Sequence, residues 1–314
     1  MTSHPISAVI FPGQGAQRAG MALDFAEQFE VSREVFARAS AALSLDLLAL
    51  CRGDDPRLHH TEFTQPCLLT AELAMFQALV KHFGFAPTLF GGHSLGEYSA
   101  LVAAGVLPLE LGVRLVRRRG QLMQEVMPAG QGGMIALCLK PEEIPRDFVR
   151  QVAEGHEVDL ANENSPHQIV LSGENERLER AAAELRRCLG ERLEVTALEV
   201  SGPFHSRHMR PAADRFREIL ESAREHLSPA AATRVLSNAR GGFHGDSASE
   251  LVGALSLQLS QPIRWMENMR TLVQLTRRIV EVGPHPPLRG FFKVLGVSVS
   301  AITHVRHAPR AFPD

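Results

Sequence analysis

The sequence predicts an α/β fold in which a large domain with a mostly parallel sheet carries a smaller, inserted subdomain. Short apolar runs alternate with helical patterns towards both ends of the chain, and this alternation is typical of a parallel sheet. Between Gly132 and Val200 the elements follow the order β-α-β-β-α-β, the split βαβ pattern of a ferredoxin-like unit. The chain has 314 residues, of which 45% are hydrophobic, so it can bury a sizeable core.

The large domain is predicted over residues 1–131 and 201–314. Its first strand, Ala8–Phe11, is an apolar run that enters the turn Pro12–Gly15. A second strand over 88–91 leads directly into Gly92–Gly96, and a helix follows from Glu97. The remaining elements are predicted from the spacing of apolar residues that is typical of helices or of strands. They are helices over 65–82, 108–127, 206–226, 250–259 and 266–275, and strands over 234–236 and 278–282.

The inserted subdomain is predicted over residues 132–200. Two of its strands, 158–161 and 168–171, flank the stretch Asn162–Pro166, whose Asn, Ser and Pro residues are typical of a turn. The other elements are strands over 134–139 and 193–200 and helices over 141–154 and 175–189.

The composition excludes several classes of protein. No apolar run approaches the length that spans a bilayer, and the first residues lack a secretory signal pattern. Four cysteines without a CxxC pair favour free thiols in a reducing compartment over a disulfide framework or a zinc site. We therefore expect a cytoplasmic protein that binds neither membranes nor, at a net charge of −2, nucleic acid.

The charge is unevenly distributed along the chain. Residues 261–314 contain eight Lys and Arg against three Asp and Glu, a local charge of +5 that leaves −7 for the rest. This basic segment is either a solvated face or a docking surface for an acidic partner, with Arg277, Arg278 and Arg289 as candidate contacts.

The strongest local motif is Gly92–Gly96, a G-x-S-x-G between a predicted strand and a predicted helix. Such a sharp turn exposes the serine hydroxyl above a sheet, and the glycines leave room for the strained backbone. The amino end of the following helix favours a developing oxyanion. Ser94 is therefore a candidate nucleophile.

A serine nucleophile needs a base within hydrogen-bonding reach, and 14 histidines compete for that role. His205 is the preferred candidate because it lies at a predicted strand-to-helix junction. The pair His205 and His208 also has a spacing that metal ligands use, but no third ligand accompanies it, and we expect no metal site.

The helix over 108–127 places Arg119 near the middle of its apolar face, whereas Arg117 and Arg118 fall on the polar face. A buried guanidinium is costly unless it meets an anion. Helical geometry favours an internal salt bridge with an Asp or Glu, and the alternative is a bidentate contact with a substrate carboxylate.

In these motifs the chain resembles the malonyl-CoA:acyl carrier protein transacylases and the related acyltransferase domains of polyketide synthases. The resemblance covers most of the chain, from Phe11 to Gly283. It rests on the order and spacing of these segments: Phe11–Gly15, Thr64–Pro66, Gly92–Ala100, Arg119–Gly120, Asn162–Pro166, Phe204–Ser206 with Met209, Gln258 with Pro262, and Glu281–Pro284.

The resemblance implies a hydrolase-like large domain and a role for each matched residue. Ser94 corresponds to the acylated nucleophile and His205 to its base, oriented by a backbone carbonyl near Gln258 rather than by an acid. The backbone amides of Gln14 and Leu95 form the oxyanion hole. The remaining candidates are the substrate-binding residues Arg119, Phe204, His93, Met123, Asn162 and Gln258. Arg119 then binds the malonyl carboxylate, and Phe204 fills the space that an α-methyl group needs.

The implied reaction needs no cofactor, and its partners are malonyl-CoA and holo acyl carrier protein. Three alternatives remain open: service to polyketide rather than fatty acid synthesis, an acyl hydrolase of the same fold, and a non-catalytic module that binds carrier proteins. The sequence departs from the family after Glu281–Pro284, where His285 replaces the usual glycine and is followed by two prolines. We expect this change to reshape a loop at the rim of the site.

Overall fold

The computed structural model describes residues 6–53, 55–128 and 130–312 and has an α/β architecture. The strands are β1 (Ala8–Phe11), β2 (Leu89–Gly92), β3 (Gly132–Leu139), β4 (Asp159–Ser165), β5 (Gln168–Glu174), β6 (Leu193–Ala197), β7 (Leu236–Ser237), β8 (Gly242–Phe243), β9 (Ile279–Val282) and β10 (Ser300–Ile302). The helices are α1 (Leu23–Gln28), α2 (Glu30–Leu43), α3 (Leu47–Arg52), α4 (Thr61–Phe83), α5 (Leu95–Ala103), α6 (Leu109–Glu125), α7 (Arg146–Gly155), α8 (Asn175–Leu189), α9 (Arg210–Ser222), α10 (Pro229–Ala232), α11 (Ala248–Leu257), α12 (Trp265–Leu275), α13 (Leu288–Lys293) and α14 (Ala308–Ala311).

One sheet is parallel, with strand order β10-β9-β1-β2. The whole of β1 is buried, as expected for a strand covered on both faces. Phe11 at the end of β1 pairs with Gly92 at the end of β2, so the carboxyl ends of these strands lie side by side. Ligands bind at that edge in open α/β sheets, and the serine elbow starts there.

The second sheet is antiparallel, with strand order β4-β5-β3-β6. Its hydrophobic core packs β3 and β5 against α7 and α8 and includes Leu137, Ile169 and Leu185. Met134, Ala136 and Val170 belong instead to the main core beneath the parallel sheet. The antiparallel sheet therefore contributes residues to the space between the two sheets.

The predicted turn over 162–166 is wrong. Strand β4 continues to Ser165, with bulges beside Asn162 and Ser165, and the turn comprises Pro166 and His167. The strand persists because its other edge is paired: the Ile263 amide donates to Ala161, and Ile263 accepts from the Glu163 amide. Polar residues that suggested a turn are thus held in extended backbone by a distant segment.

Most other predicted elements are present with shifted ends. The helix predicted from 141 begins at Arg146, because Pro145 lacks an amide hydrogen and disfavours helix in the residue before it. The helix predicted over 206–226 is α9 flanked by 3₁₀ turns at each end. The strand predicted over 193–200 ends at Ala197, and β10 was not predicted.

Within the described ranges, none of the helices combines the length and apolarity needed to cross a bilayer.

Candidate active site

Ser94 occupies a strained turn between β2 and α5, with φ 52° and ψ −102°. A side chain on Gly92 would overlap the backbone of Gly96, and one on Gly96 would overlap the carbonyl of Phe11. Both glycines of the motif are therefore required by close backbone approach. The turn places the Ser94 hydroxyl at the carboxyl edge of the parallel sheet, as the motif predicts.

The structure brings together Ser94 and His205, which are 111 residues apart in the chain. The serine Oγ lies 2.9 Å from His205 Nε2, and His205 Nδ1 lies 2.7 Å from the backbone carbonyl oxygen of Gln258. Burial, followed by the charge of Arg119, lowers the pKa of His205 to about 3. The imidazole is therefore neutral near pH 7, with Nδ1–H donating to Gln258 and Nε2 free to accept a proton.

Arg119 is buried on α6, only 1% exposed, and points at the nucleophile. Its Nη1 donates to Gln65 Oε1 at 3.0 Å, and its Nη2 donates to Gln258 Oε1 at 3.0 Å and to Ser94 Oγ at 3.1 Å. Among the residues that the structure describes, no carboxylate pairs with this guanidinium. The internal salt bridge that helical geometry favoured is thus wrong, and burial lowers the arginine pKa.

A cavity of about 370 Å³ opens over Ser94, between the two sheets. Among the predicted site residues, Gln14, His93, Met123, Asn162 and Phe204 line it together with Ser94, Arg119 and His205. Leu95 and Gln258 are fully buried behind the residues that line the cavity. Gln258 contacts two lining residues by hydrogen bonds, Arg119 through its side chain and His205 through its backbone carbonyl.

The two residues predicted to form the oxyanion hole follow the adjacent strands β1 and β2. Leu95 is the first residue of α5, so its amide has no acceptor within the helix. Gln14 follows β1 in the neighbouring turn and lines the cavity, and its side chain donates to Thr61 Oγ1 at 3.1 Å. The elbow and the glycine turn thus face the same space from adjacent strands.

His93 is held against the antiparallel sheet. Its Nε2 lies 2.8 Å from Asn164 Oδ1 and 3.2 Å from Asn162 Nδ2, both in β4. Burial lowers its pKa to about 4. Asn162 lines the cavity, and its buried Oδ1 has no hydrogen-bond partner in the described part of the chain.

Comparison with known proteins agrees with this geometry. Residues 9–313 match the acyl transferase domain family. The chain is 39% identical over 290 residues to the malonyl CoA-acyl carrier protein transacylase of Escherichia coli O157:H7, covering 91% of each chain. It is 38% identical over 289 residues to the enzyme of that name from Bacillus subtilis, covering 91% of this chain and 89% of that one. The chain belongs to this transacylase family.

Solved structures of the transacylase family share the fold. The protein from Coxiella burnetii superposes with a TM-score of 0.90 at 35% identity, covering 98% of this chain and 97% of that one. A malonyl-transacylase solved in complex with its type II polyketide acyl carrier protein gives a TM-score of 0.87 at 35% identity, covering 98% and 99%. The resemblance seen in the sequence is confirmed.

Several residues of this transacylase site were missed from the sequence. Gln65, which binds Arg119, lies in a segment quoted for the resemblance but had no assigned role. Asn164 lies in the mispredicted turn. Asn238 accepts from the Ser94 amide and donates to the Gly92 carbonyl, each at 2.7 Å, and nothing in its local sequence signals this contact.

The three candidate docking arginines do not share one face. Arg277 and Arg278 precede β9 and line a groove with Ser7 and Phe85, at the amino edge of the parallel sheet. Arg289 follows β9, next to Leu288 in the cavity wall. Because Ser94 lies at the carboxyl edge, Arg289 is the one of these three candidates that lies near the site, and the docking role of the basic segment stays a prediction.

The mouth of the cavity is basic. His285 and Arg18 line it, and both Arg18 and Arg289 lie close enough to His285 to lower its pKa after partial burial. The departure from the family at His285 therefore lies on the rim, where we expected it.

Proposed function

We propose that this transacylase transfers a malonyl group from malonyl-CoA to the thiol of holo acyl carrier protein through an ester on Ser94. The observation that carries the proposal is Arg119, a buried guanidinium that has no carboxylate partner among the described residues and lies 3.1 Å from the serine hydroxyl. Such a group needs an anion to compensate its desolvation, and a planar carboxylate suits its fork of donors. An acyl group with a free carboxylate supplies that anion beside the nucleophile.

In the first half-reaction, Ser94 Oγ attacks the thioester carbonyl of malonyl-CoA while its proton moves to His205 Nε2. The Gln258 carbonyl accepts from Nδ1–H and stabilises the resulting imidazolium. The backbone amides of Gln14 and Leu95 stabilise the negative charge on the carbonyl oxygen. The tetrahedral intermediate then collapses, the carbon–sulfur bond breaks, and the coenzyme A thiolate takes the proton from His205.

The second half-reaction repeats these steps with a different nucleophile. His205, neutral again, takes the proton of the pantetheine thiol, and the thiolate attacks the malonyl-serine ester. The carbon–oxygen bond breaks and Ser94 recovers its proton. The hydrolase alternative is not favoured, because the curated relatives cited above are named transacylases.

Phe204 and His93 complete the acyl site in this proposal. Phe204 is buried beside His205 and lines the cavity, which supports the role of limiting space near the malonyl α-carbon. His93 precedes Ser94 and contacts Asn162 and Asn164, so it connects the serine turn to β4 of the antiparallel sheet. Met123 lies on α6 one turn after Arg119 and borders the same space.

The proposal includes a division of the chain into a hydrolase-like domain, 1–131 and 201–314, and a ferredoxin-like subdomain, 132–200. The strand order β4-β5-β3-β6 and the separate core of α7 and α8 support the second unit. The parallel sheet with the serine elbow after β2 supports the first. We also retain the cytoplasmic location expected from the sequence.

Intact-protein mass spectrometry tests the proposal. The protein is mixed with malonyl-CoA and then chased with holo acyl carrier protein or with buffer. We expect a malonyl adduct that persists in buffer, moves to the carrier protein and is absent in Ser94→Ala. Rapid loss of the adduct in buffer would instead support the hydrolase, and the absence of any adduct would refute malonyl transfer.

A further inference from the structure

Glu97 is a fully buried carboxyl group one turn beyond the nucleophile on α5, and the mechanism above does not use it. Its Oε2 accepts from the Asn238 amide at 3.0 Å and from Gln258 Nε2 at 2.7 Å. Its Oε1 lies 2.8 Å from Nε2 of His244, which is also buried. All these partners come from segments more than 140 residues away in the chain.

The first branch of these contacts leads to the serine elbow. Asn238, whose backbone is held by Glu97, uses its side chain to bind both the Ser94 amide and the Gly92 carbonyl. The Ser94 peptide is strained, with positive φ, and a strained peptide persists only where its surroundings hold it. Asn238 begins the turn between β7 and β8, and His244 follows β8, so Glu97 binds this hairpin at its turn and at its open end.

The second branch passes through Gln258. Its Nε2 donates to Glu97 and to the Ser94 carbonyl, its Oε1 accepts from Arg119, and its backbone carbonyl binds His205. A flipped amide would direct its oxygen at the Glu97 oxygen and its NH₂ group at the guanidinium. Both contacts would then be repulsive, so Glu97 and Arg119 together fix one orientation of Gln258.

We infer that Glu97 is a positioning residue that holds the nucleophile, the base and the carboxylate-binding arginine in one geometry, through Asn238 and Gln258. The inference rests on the proposed role of Ser94 as nucleophile. Small displacements of reacting groups are costly: a shift of 1 Å caused by a remote substitution lowers rates by about 10²-fold.

The test follows the reaction of Ser94 with a fluorophosphonate probe, which needs a positioned serine and histidine but no malonyl group. We expect Glu97→Ala to slow labelling of Ser94 by about 10²-fold. Glu97→Gln should label within about threefold of wild type, the effect of one weak hydrogen bond. Its amide oxygen can replace Oε2, and its NH₂ group can donate to the other tautomer of His244.

The matched control is Glu72→Ala. Glu72, on α4, is as buried as Glu97 and accepts a hydrogen bond from Ser99, which lies on α5 like Glu97. Its described contacts do not reach Ser94. We expect it to lower the melting temperature without slowing labelling. Should Glu97→Ala label no more slowly than Glu72→Ala, or should Glu97→Gln be as slow as Glu97→Ala, the inference is overturned.

A second pair covers the case in which Glu97→Ala does not fold. Asn238→Ala removes both side-chain contacts to the elbow and should slow labelling at least about tenfold, the cost of losing a buried hydrogen bond. Ser237→Ala removes a buried hydroxyl that has no partner among the described residues and should leave the labelling rate of Ser94 unchanged. Equal labelling of these two variants would contradict the inference.

The probe separates this inference from the proposed function. Wild-type protein that labels with the fluorophosphonate but takes no malonyl group refutes malonyl transfer and leaves the positioning test intact. Wild-type protein that takes neither reagent at Ser94 overturns both.

Discussion

The two walls of the cavity differ in what they contribute. The wall at the carboxyl edge of the parallel sheet holds Ser94, His205 and Arg119, all joined by hydrogen bonds of about 3 Å. The wall formed by the antiparallel sheet presents mainly apolar side chains: Met134, Ala136, Val170, Leu198 and Val200. Among the described residues, the polar ones that line the cavity on that side are Asn162, Asn164 and Gln168.

This difference predicts that the first wall supplies the reacting groups and that the second wall determines the shape of the cavity. Each polar group of the first wall is fixed by at least one other, so a substitution there disturbs several contacts at once. The apolar residues of the second wall can contact a ligand only by packing, so their exchange alters the space available. We therefore expect substitutions in the first wall to change rate constants and those in the second wall to change KM.

The largest effect is expected from Arg119→Ala. Removing one partner of a buried charge pair costs about 2–5 kcal/mol, so malonylation of Ser94 should fall by about 10²–10³-fold. Acetylation should fall much less, because an acetyl group has no carboxylate to lose. Single-turnover labelling with malonyl-CoA and acetyl-CoA measures both rates. Equal losses for the two donors would contradict the carboxylate role.

In the second wall, Val170→Phe should raise the KM for malonyl-CoA roughly tenfold, within the range for altered apolar pockets, and leave the acylation rate constant at saturation unchanged. Val170 is buried, 2% exposed, and a larger ring must extend into the cavity. Leu178→Met, in the separate core of the antiparallel unit, is a suitable control. A fall in the rate constant without a change in KM would remove the distinction between the walls.

Acid should lower the free energy of unfolding through the two buried histidines beside Ser94. The pKa values of His205 and His93 are lowered to about 3 and about 4, whereas unfolded histidine titrates near 6.5. The unfolded chain therefore takes up more protons between those values, and the stability present above about pH 6.5 is lost as the pH falls. Each histidine should lower the free energy of unfolding by about 1.4 kcal/mol for each pH unit within that range.

Urea unfolding of wild type and His205→Gln at about pH 7 and about pH 5.5 checks this linkage. The variant should lose less stability on acidification by about 1.4 kcal/mol. Identical pH dependence in the two proteins would show that His205 does not titrate as the buried environment requires.

The smallest effect is expected at the rim between the walls. Arg289→Glu should raise the KM for acyl carrier protein by about threefold, and this difference should diminish at high salt, as expected for an exposed charge. Arg278→Glu, at the amino edge of the sheet, is the matched control and should behave as wild type. If both variants, or neither, raise KM, Arg289 is not a specific contact.

How much the sequence predicts depends on the range of the contacts. The elbow at Ser94 was predictable because its glycines and flanking elements are adjacent in the chain. His205 was preferred for its predicted strand-to-helix junction and Arg119 was placed inward by helical geometry, but the substrate role of Arg119 came from the resemblance. The hold of Asn238 on Ser94, and the pairing of Ile263 that converts a predicted turn into strand, bring together segments about 100 or more residues apart. Local composition carries no signal for contacts of that kind.

In the proposed reaction, the buried charge of Arg119 acts on His205 as well as on the malonyl carboxylate. Burial is the larger cause of the low pKa of His205, and the guanidinium is the second. A carboxylate seated on Arg119 cancels that field, so the basicity of His205 rises when a carboxylated acyl group arrives. A neutral acyl group that fits the cavity leaves the base weak. In the proposed reaction, one residue thus couples the binding of the malonyl carboxylate to the strength of the base.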